Sequence, residues 1–229
     1  MNPQPLYFRQ LQLGPMQNFV YLIGDPETRE AAVVDPAWDV DTILRVLEAD
    51  DMTLRHALVT HFHPDHLGGN LMGHHIQGAA ELLDRDQKVK VYIHKSEAPY
   101  VRRIAGLSDS DLVRVESGDE IRVGNVPVLF LHTPGHTPGS QCFLVGNRLV
   151  SGDTLFIGSC GRVDLPGSDP AALYDSLVNK LKRLPDDTVL YPGHDYADRP
   201  YSTLGEEKRR NPFLRFERLE DFLRVMGYG

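Results

Sequence analysis

The chain has 229 residues, enough to bury the core of one large domain, and 41% hydrophobic with 24% charged residues is ordinary for a globular protein. A formal charge of -8, from 24 basic and 32 acidic residues with no basic run, argues against nucleic acid or another polyanion as a partner. Two cysteines, Cys142 and Cys160, fit a reducing compartment, and neither Met1 to Pro5 nor any later stretch reads as a secretion signal or as the ~20 apolar residues that span a bilayer, so a soluble cytoplasmic protein is expected.

Residues 6–8, 18–23 and 31–35 read as short strands separated by Gly, Pro and charged turns. Val40, Ile43, Leu44 and Leu47 recur at i, i+3, i+4 and i+7, which predicts an amphipathic helix with Asp39 as its cap. Residues 55–59 form the strand that delivers Thr60-His61-Phe62-His63-Pro64-Asp65-His66-Leu67-Gly68-Gly69-Asn70. Three histidines and one carboxylate within six positions point to metal. Side chains at i and i+2 of a strand end share a face, so His61 and His63 reach one ion while Phe62 turns into the core. Pro64 stops the extended chain and aims Asp65 and His66 at a second point; two ions are expected.

A helix is predicted from about His66 to Leu83, with His74 and His75 as solvated residues on it. Residues 89–93 alternate as a strand, and His56, His94 and His132 beside strands read as structural hydrogen-bonders. Residues 95–118 are polar and poorly periodic. Two hairpins follow, 121–123 to 126–131 through Gly124-Asn125 and 141–145 to 148–150 through Gly146-Asn147, because Gly-Asn supplies the positive φ of a tight turn. Further ligand candidates lie in loops beside these apolar runs: His136 in Thr133-Pro134-Gly135-His136, Asp153 after Ser151-Gly152, and His194 in Pro192-Gly193-His194-Asp195-Tyr196, with Asp195 weaker. Glycine or proline flanks each, permitting close backbone approach.

Asp169 before Pro170 starts a helix whose stripe is Leu173, Leu177, Leu181 and Leu184, and residues 188–191 are the strand that delivers His194. Thr203 with Glu206 reads as a capping box, and Leu219, Phe222, Leu223 and Met226 as a final helix docked on the body. No linker composition interrupts the chain. Residues 1–229 are expected to form a single domain, with 203–229 a helical C-terminal extension packed on it.

The ordered set His61-x-His63-x-Asp65-His66, His136, Asp153 and His194 resembles the complete ligand set of the metallo-β-lactamase superfamily. The resemblance covers most of the chain and implies an α/β fold, the αββα four-layer sandwich. It implies one metal at His61, His63 and His136, the other at Asp65, His66 and His194, and Asp153 as the bridge, with Asp35 supporting the loops. Imidazole and carboxylate donors suit zinc foremost, and iron or manganese as well. Two bridged ions imply hydrolysis by an activated water, with Asp65 and Asp153 catalytic.

Residues 151–156, 158–164, 193–196 and 202–207, followed by Asn211-Pro212-Phe213, are similar to signatures of glyoxalase II-like thioesterases, the hydroxyacylglutathione hydrolases. Arg162 and Tyr196 match residues that bind the glutathione part of the substrate there. Two departures stand out: Asp164 replaces the usual aromatic residue, and the long helical insert before the Ser-Thr-Leu segment is only residues 197–201. Both fit a sister group, the persulfide dioxygenases; that resemblance implies a single Fe(II) on His61, His136 and Asp153 at which oxygen oxidises glutathione persulfide to sulfite. The thioester hydrolase is the expected activity because residues 152–156, 165–167 and Leu204-Gly205 look closer to short bacterial glyoxalase II-like proteins. The dioxygenase is the alternative, and a metal-binding protein without turnover the weaker one. The implied partner is a small glutathione-derived thioester or thiol, and a homodimer is compatible. Cys160 reads as a small loop residue.

Overall fold

Three antiparallel strands lead, β1 (Tyr7–Leu13), β2 (Asn18–Asp25) and β3 (Glu30–Val34), in a computed structural model that describes residues 5–228. The N-terminal expectation for Met1 to Gln4 lies outside the described residues. Along β2, Val20 and Leu22 join one apolar cluster while Phe19, Tyr21 and Ile23 join another, so the sheet is covered on both faces. Helix α1 (Val40–Ala49) buries Val40, Ile43 and Leu47 as their spacing predicts, and Asp39 caps it by accepting from Thr42 N at 2.8 Å. β4 (Thr53–Leu58) runs parallel to β3 and ends at the histidine loop.

The helix expected over 66–83 does not form. In its place stand one turn, α2 (Pro64–Leu67), a hairpin of β5 (Gly69–Leu71) and β6 (His74–Ile76), and the short helix α3 (Ala79–Arg85). Gly68, Gly69, Met72 and Gly73 adopt φ of 95°, 120°, 51° and 85°, which no right-handed helix tolerates. A Cβ on Gly69 would also come within 2.3 Å of Ile104 O. His74 and His75 are exposed as expected but lie on β6, where His75 Nε2 meets Glu81 Oε1 at 2.8 Å.

β7 (Lys90–His94) and β8 (Leu112–Val115) complete a six-stranded sheet in the order β1-β2-β3-β4-β7-β8. Between them the poorly periodic stretch supplies α4 (Ala98–Ala105), whose Tyr100 stacks on Phe62 of the histidine loop at 4.5 Å. The second six-stranded sheet starts with the two expected hairpins, β9 (Glu120–Val123) with β10 (Val126–His132) and β11 (Gln141–Val145) with β12 (Arg148–Gly152). The turn residues Gly124 and Gly146 take φ of 60° and 57°. A small ribbon follows, β13 (Leu155–Phe156) with β14 (Ser159–Cys160).

Helix α5 (Pro170–Tyr174), capped by Asp169, widens into a π-helical stretch over Asp175–Lys180. Leucines every fourth residue drift by about 40° per step around a 3.6-residue helix, and the wider turn opposes that drift, leaving Leu173, Leu177 and Leu181 fully buried. β15 (Val189–Pro192) pairs parallel to β12, and β16 (Ser202–Thr203) closes the order β16-β15-β12-β11-β10-β9. Thr203 accepts from Glu206 N at 3.3 Å to start α6 (Leu204–Arg210), but the Glu206 carboxylate binds Arg199 and Arg210 at 2.9 Å each, so only half of the capping box exists. Phe222 of α7 (Leu219–Val225) is fully buried, in contact with the ring of Tyr174, 5.5 Å between centroids.

The apolar clusters thus form three layers: α1, α3 and α4 on the first sheet, the two sheets on each other, and α5 to α7 on the second sheet. This is the αββα order. No described helix is long and apolar enough to cross a membrane. Backbone bonds lock the two sheets at one rim, where Gln141 N donates to Thr60 O at 3.0 Å and Phe19 N to Gly193 O at 2.8 Å, while Gly193 N donates to Gly152 O at 2.9 Å within the second sheet, between the ends of β15 and β12.

Candidate metal centre

Four loops meet at that rim, each leaving the C-terminal end of a strand: after β4, β10, β12 and β15. They bring all seven expected ligands together. Donor atoms of His61, His63 and His136 lie within 4.8 Å of one another, as do those of Asp65, His66 and His194, and a third group of His61, His66 and Asp153 joins the two. Asp153 touches both sides: its oxygens lie 3.3 Å from His66 Nε2, 3.4 Å from His194 Nε2 and 3.6 Å from His136 Nε2. The glycines make room, since a Cβ on Gly193 would come 2.4 Å from Asp153 Oδ1 and one on Gly152 2.7 Å from Thr60.

The outer ring nitrogens fix the inner ones. His136 Nδ1 faces Arg162 O at 2.8 Å and His194 Nδ1 faces Met16 O at 2.9 Å; a carbonyl only accepts, so both Nδ1 atoms carry the proton. His66 Nδ1 lies 2.9 Å from Asp35 Oδ2, with the same consequence. Thr60 Oγ1 donates to Asp35 at 2.7 Å and so accepts from His61 Nδ1 at 2.9 Å. Asp35 also accepts from Thr60 N at 2.7 Å, fulfilling the supporting part expected of it from a left-handed φ of 53°.

In their neutral form these four histidines turn bare Nε2 lone pairs inward. His61 Nε2 is buried with no hydrogen-bond partner, His66 Nε2 and His194 Nε2 lie 3.2 Å apart, and His63 Nδ1 lies 3.0 Å from His136 Nε2. Lone pairs and two carboxylates aimed at one another need positive charge between them, so the donor set fits divalent cations.

Electrostatics agree with that reading. Burial, reinforced by the neighbouring histidines, lowers His61 strongly and takes His63 down to about 4, which keeps both rings neutral and available as donors at pH 7. Burial alone would also lower His194, but Asp153 and Asp65 outweigh it and push His194 up to about 9, and the same carboxylates raise His66, so without an ion the carboxylates draw protons onto this side, the positive charge that a cation would supply in their place. Burial would raise Asp65 and Asp153, yet the facing imidazoles hold both well below the usual carboxylate range. Both acids are ionised at neutral pH.

The other expected residues belong to none of the donor groups. Arg162 is exposed and held by Asp164 at 2.6 Å, and Tyr196, 61% exposed, stacks on His194 at 4.6 Å. Asp195 contributes only its backbone N–H, to Gln17 O at 2.8 Å, and joins no donor group. Cys160 lines the cavity above the donors, its thiol pushed up to about 12 by burial, which suits a packing residue better than a nucleophile. His94 and His132 stack on each other at 3.7 Å, and His132 Nε2 binds Pro138 O at 3.0 Å, as hydrogen-bonding residues of the fold.

Two residues with no signal in the sequence complete the site. Asn18, 2% exposed, donates to Asp65 Oδ2 at 3.1 Å and Asp65 O at 3.0 Å while accepting from Trp38 Nε1 at 2.8 Å, so it aims the carboxylate. Glu97, fully buried, accepts from Phe62 N at 2.7 Å, Gly139 N at 2.6 Å and Thr137 Oγ1 at 2.9 Å, tying the His61 loop to the His136 loop. A cavity of about 1010 Å³ opens over the donors.

Known proteins resemble the chain over most of its length. Human mitochondrial persulfide dioxygenase ETHE1 is 31% identical, covering 97% of this chain and 81% of its own. The hydroxyacylglutathione hydrolase of a Synechococcus strain is 38% identical, covering 79% of this chain and 65% of its own. The crystal structure of ETHE1 from Myxococcus xanthus superposes with a TM-score of 0.83 at 36% identity, covering 96% of this chain and 90% of that one. The profile of the metallo-beta-lactamase superfamily matches residues 13–194, which include all seven converging side chains; the chain belongs to that superfamily.

Proposed function

We propose that the chain is a metal-dependent hydrolase of the glyoxalase II type that cleaves a glutathione-type thioester. His61, His63 and His136 hold one divalent ion, Asp65, His66 and His194 the other, with Asp153 between them. The observation that carries the reading is the pair of complete donor triads joined through His61, His66 and Asp153, which supplies donors for two ions. Two bound ions, zinc foremost, supply a water of lowered pKa and a polarised carbonyl oxygen. Asp65, ionised and aimed by Asn18, accepts a hydrogen bond from that water and orients it. The departing thiolate needs no acid, because a thiol pKa of about 8.5 makes it a good leaving group. Arg162 and Tyr196 flank the mouth on the side where the thiol portion would rest. Residues 1–229 act as one domain in this reading, in a reducing compartment that suits the free thiols of Cys142 and Cys160.

A second reading rests on one specific observation. The human persulfide dioxygenase is covered along 81% of its length, whereas about a third of the Synechococcus hydrolase has no counterpart here. As a dioxygenase the chain would use His61, His136 and Asp153 as a two-histidine, one-carboxylate face for a single Fe(II). Turnover assays on one metal-loaded preparation separate the readings. The hydrolase releases thiol from S-2-hydroxyacylglutathione and loses that activity in Asp153→Ala and His194→Ala. Oxygen uptake on glutathione persulfide, with one iron and no thioester cleavage, establishes the dioxygenase instead, and metal without either activity leaves a binding protein.

A further inference from the structure

The cavity mouth has two flanks. One belongs to the second half of the chain, where Tyr196 stacks on His194, Arg162 is paired with Asp164, and Phe156, Ile157, Leu165 and Pro166 line the wall beside them. The other comes from the first half and carries the more exposed apolar surface. Phe62 and Tyr100 stack at 4.5 Å and 15°, and Leu71 and Met72 of the β5–β6 hairpin line the cavity beside them. Arg103, the charged member of this flank, lies 6.0 Å from the Tyr100 ring centroid and is exposed at the lip.

This flank exceeds what a small hydroxyacyl group needs. Met72, at the hairpin tip, is 94% exposed beside an ionisable floor, and Leu71 is only half-buried. Apolar surface left uncovered at the mouth of a cavity gains by receiving an apolar ligand. The site lies next to His63 and Asp65, where the reacting carbon of a thioester would rest, and the 1010 Å³ volume leaves room for a chain of several carbons.

We propose that the flank formed by Phe62, Tyr100, Leu71 and Met72 seats an apolar chain on the acyl side of the sulfur, so that the site takes aliphatic acyl thioesters as well as short hydroxyacyl ones and binds the longer chain more tightly. The chemistry rests on the hydrolase reading, but the seat is tested by binding alone. The probes are S-hexylglutathione and S-methylglutathione, whose thioether cannot be hydrolysed, titrated calorimetrically into the metal-loaded chain. Each methylene transferred from water tightens binding by roughly fourfold when fully buried, so five partly buried ones favour the hexyl probe by about 30-fold or more. The double variant Leu71→Asn with Met72→Gln reduces that preference to about threefold or less with bound metal unchanged. Equal affinities, no binding of either probe, or a preference that survives the double variant overturns the proposal. Failure of the hydrolase reading shows separately, as absent thioester cleavage at every acyl length, while the probe ratio still decides whether the seat exists.

Discussion

Asp35 shows how a residue outside the donor set controls it. Its two oxygens take Thr60 N, Thr60 Oγ1 and His66 Nδ1, and through Thr60 they also set the His61 ring. The Asp35→Asn variant should weaken metal binding by about 10- to 100-fold in a chelator competition, the usual effect of removing an outer partner, whereas His74→Ala on exposed β6 leaves it unchanged. Glu97 bears on stability. Burial pushes its carboxyl up to about 7 against an ordinary 4.5, while bonds from Thr137, Gly139 and Phe62 oppose the shift. A carboxyl whose folded value is raised favours the fold below about 4.5, and the contribution is lost as pH climbs through about 7. Denaturant unfolding of the metal-free chain should therefore show a loss of stability across that window that Glu97→Gln diminishes; an identical slope in the variant contradicts the assignment. The seven donors were legible because each stands within two positions of Pro, Gly or another donor at the end of an apolar run. Asn18 and Glu97 were not, because an amide opening a strand and a glutamate following one look solvated until folding brings residue 18 to 65 and 97 to 62 and 139.

At the scale of elements, the strands that deliver the ligands were legible from short apolar runs closed by Gly, Pro or His, and the hairpins from Gly-Asn. The stretch 66–83 was misread because its apolar residues also satisfy helical spacing, while the deciding feature is backbone: Gly68 and Gly69 must take positive φ so that the chain can pass Gly78 and Ile104. Gly69→Ala is the direct check. With φ at 120° and a Cβ 2.3 Å from Ile104 O, the substitution should destabilise the chain by about 1–3 kcal/mol in denaturant unfolding and disturb the apolar flank of the mouth. A neutral outcome would mean the hairpin is not held as described. Likewise α4 arose from a stretch without clear period, since its helix is fixed by packing of Tyr100 on Phe62 and Val101 in the core rather than by its own pattern.

For the whole molecule, two sheets face each other so that four loops separated by up to 133 positions, from His61 to His194, converge on one rim. Burial between the sheets supplies rigidity, and the rim's cross-sheet bonds place the donors before any ligand arrives. The C-terminal helices belong to this frame, with Leu204, Leu214 and Phe222 fully buried in the outer layer and the Glu207 carboxylate holding Gly158 N at 2.7 Å beneath the cavity wall. Two ions at this rim can be counted by elemental analysis of the reconstituted wild type beside His194→Ala. About two equivalents per chain in the wild type and about one in the variant is the predicted result. No bound metal in the wild type, or a variant that retains the full complement, would contradict it.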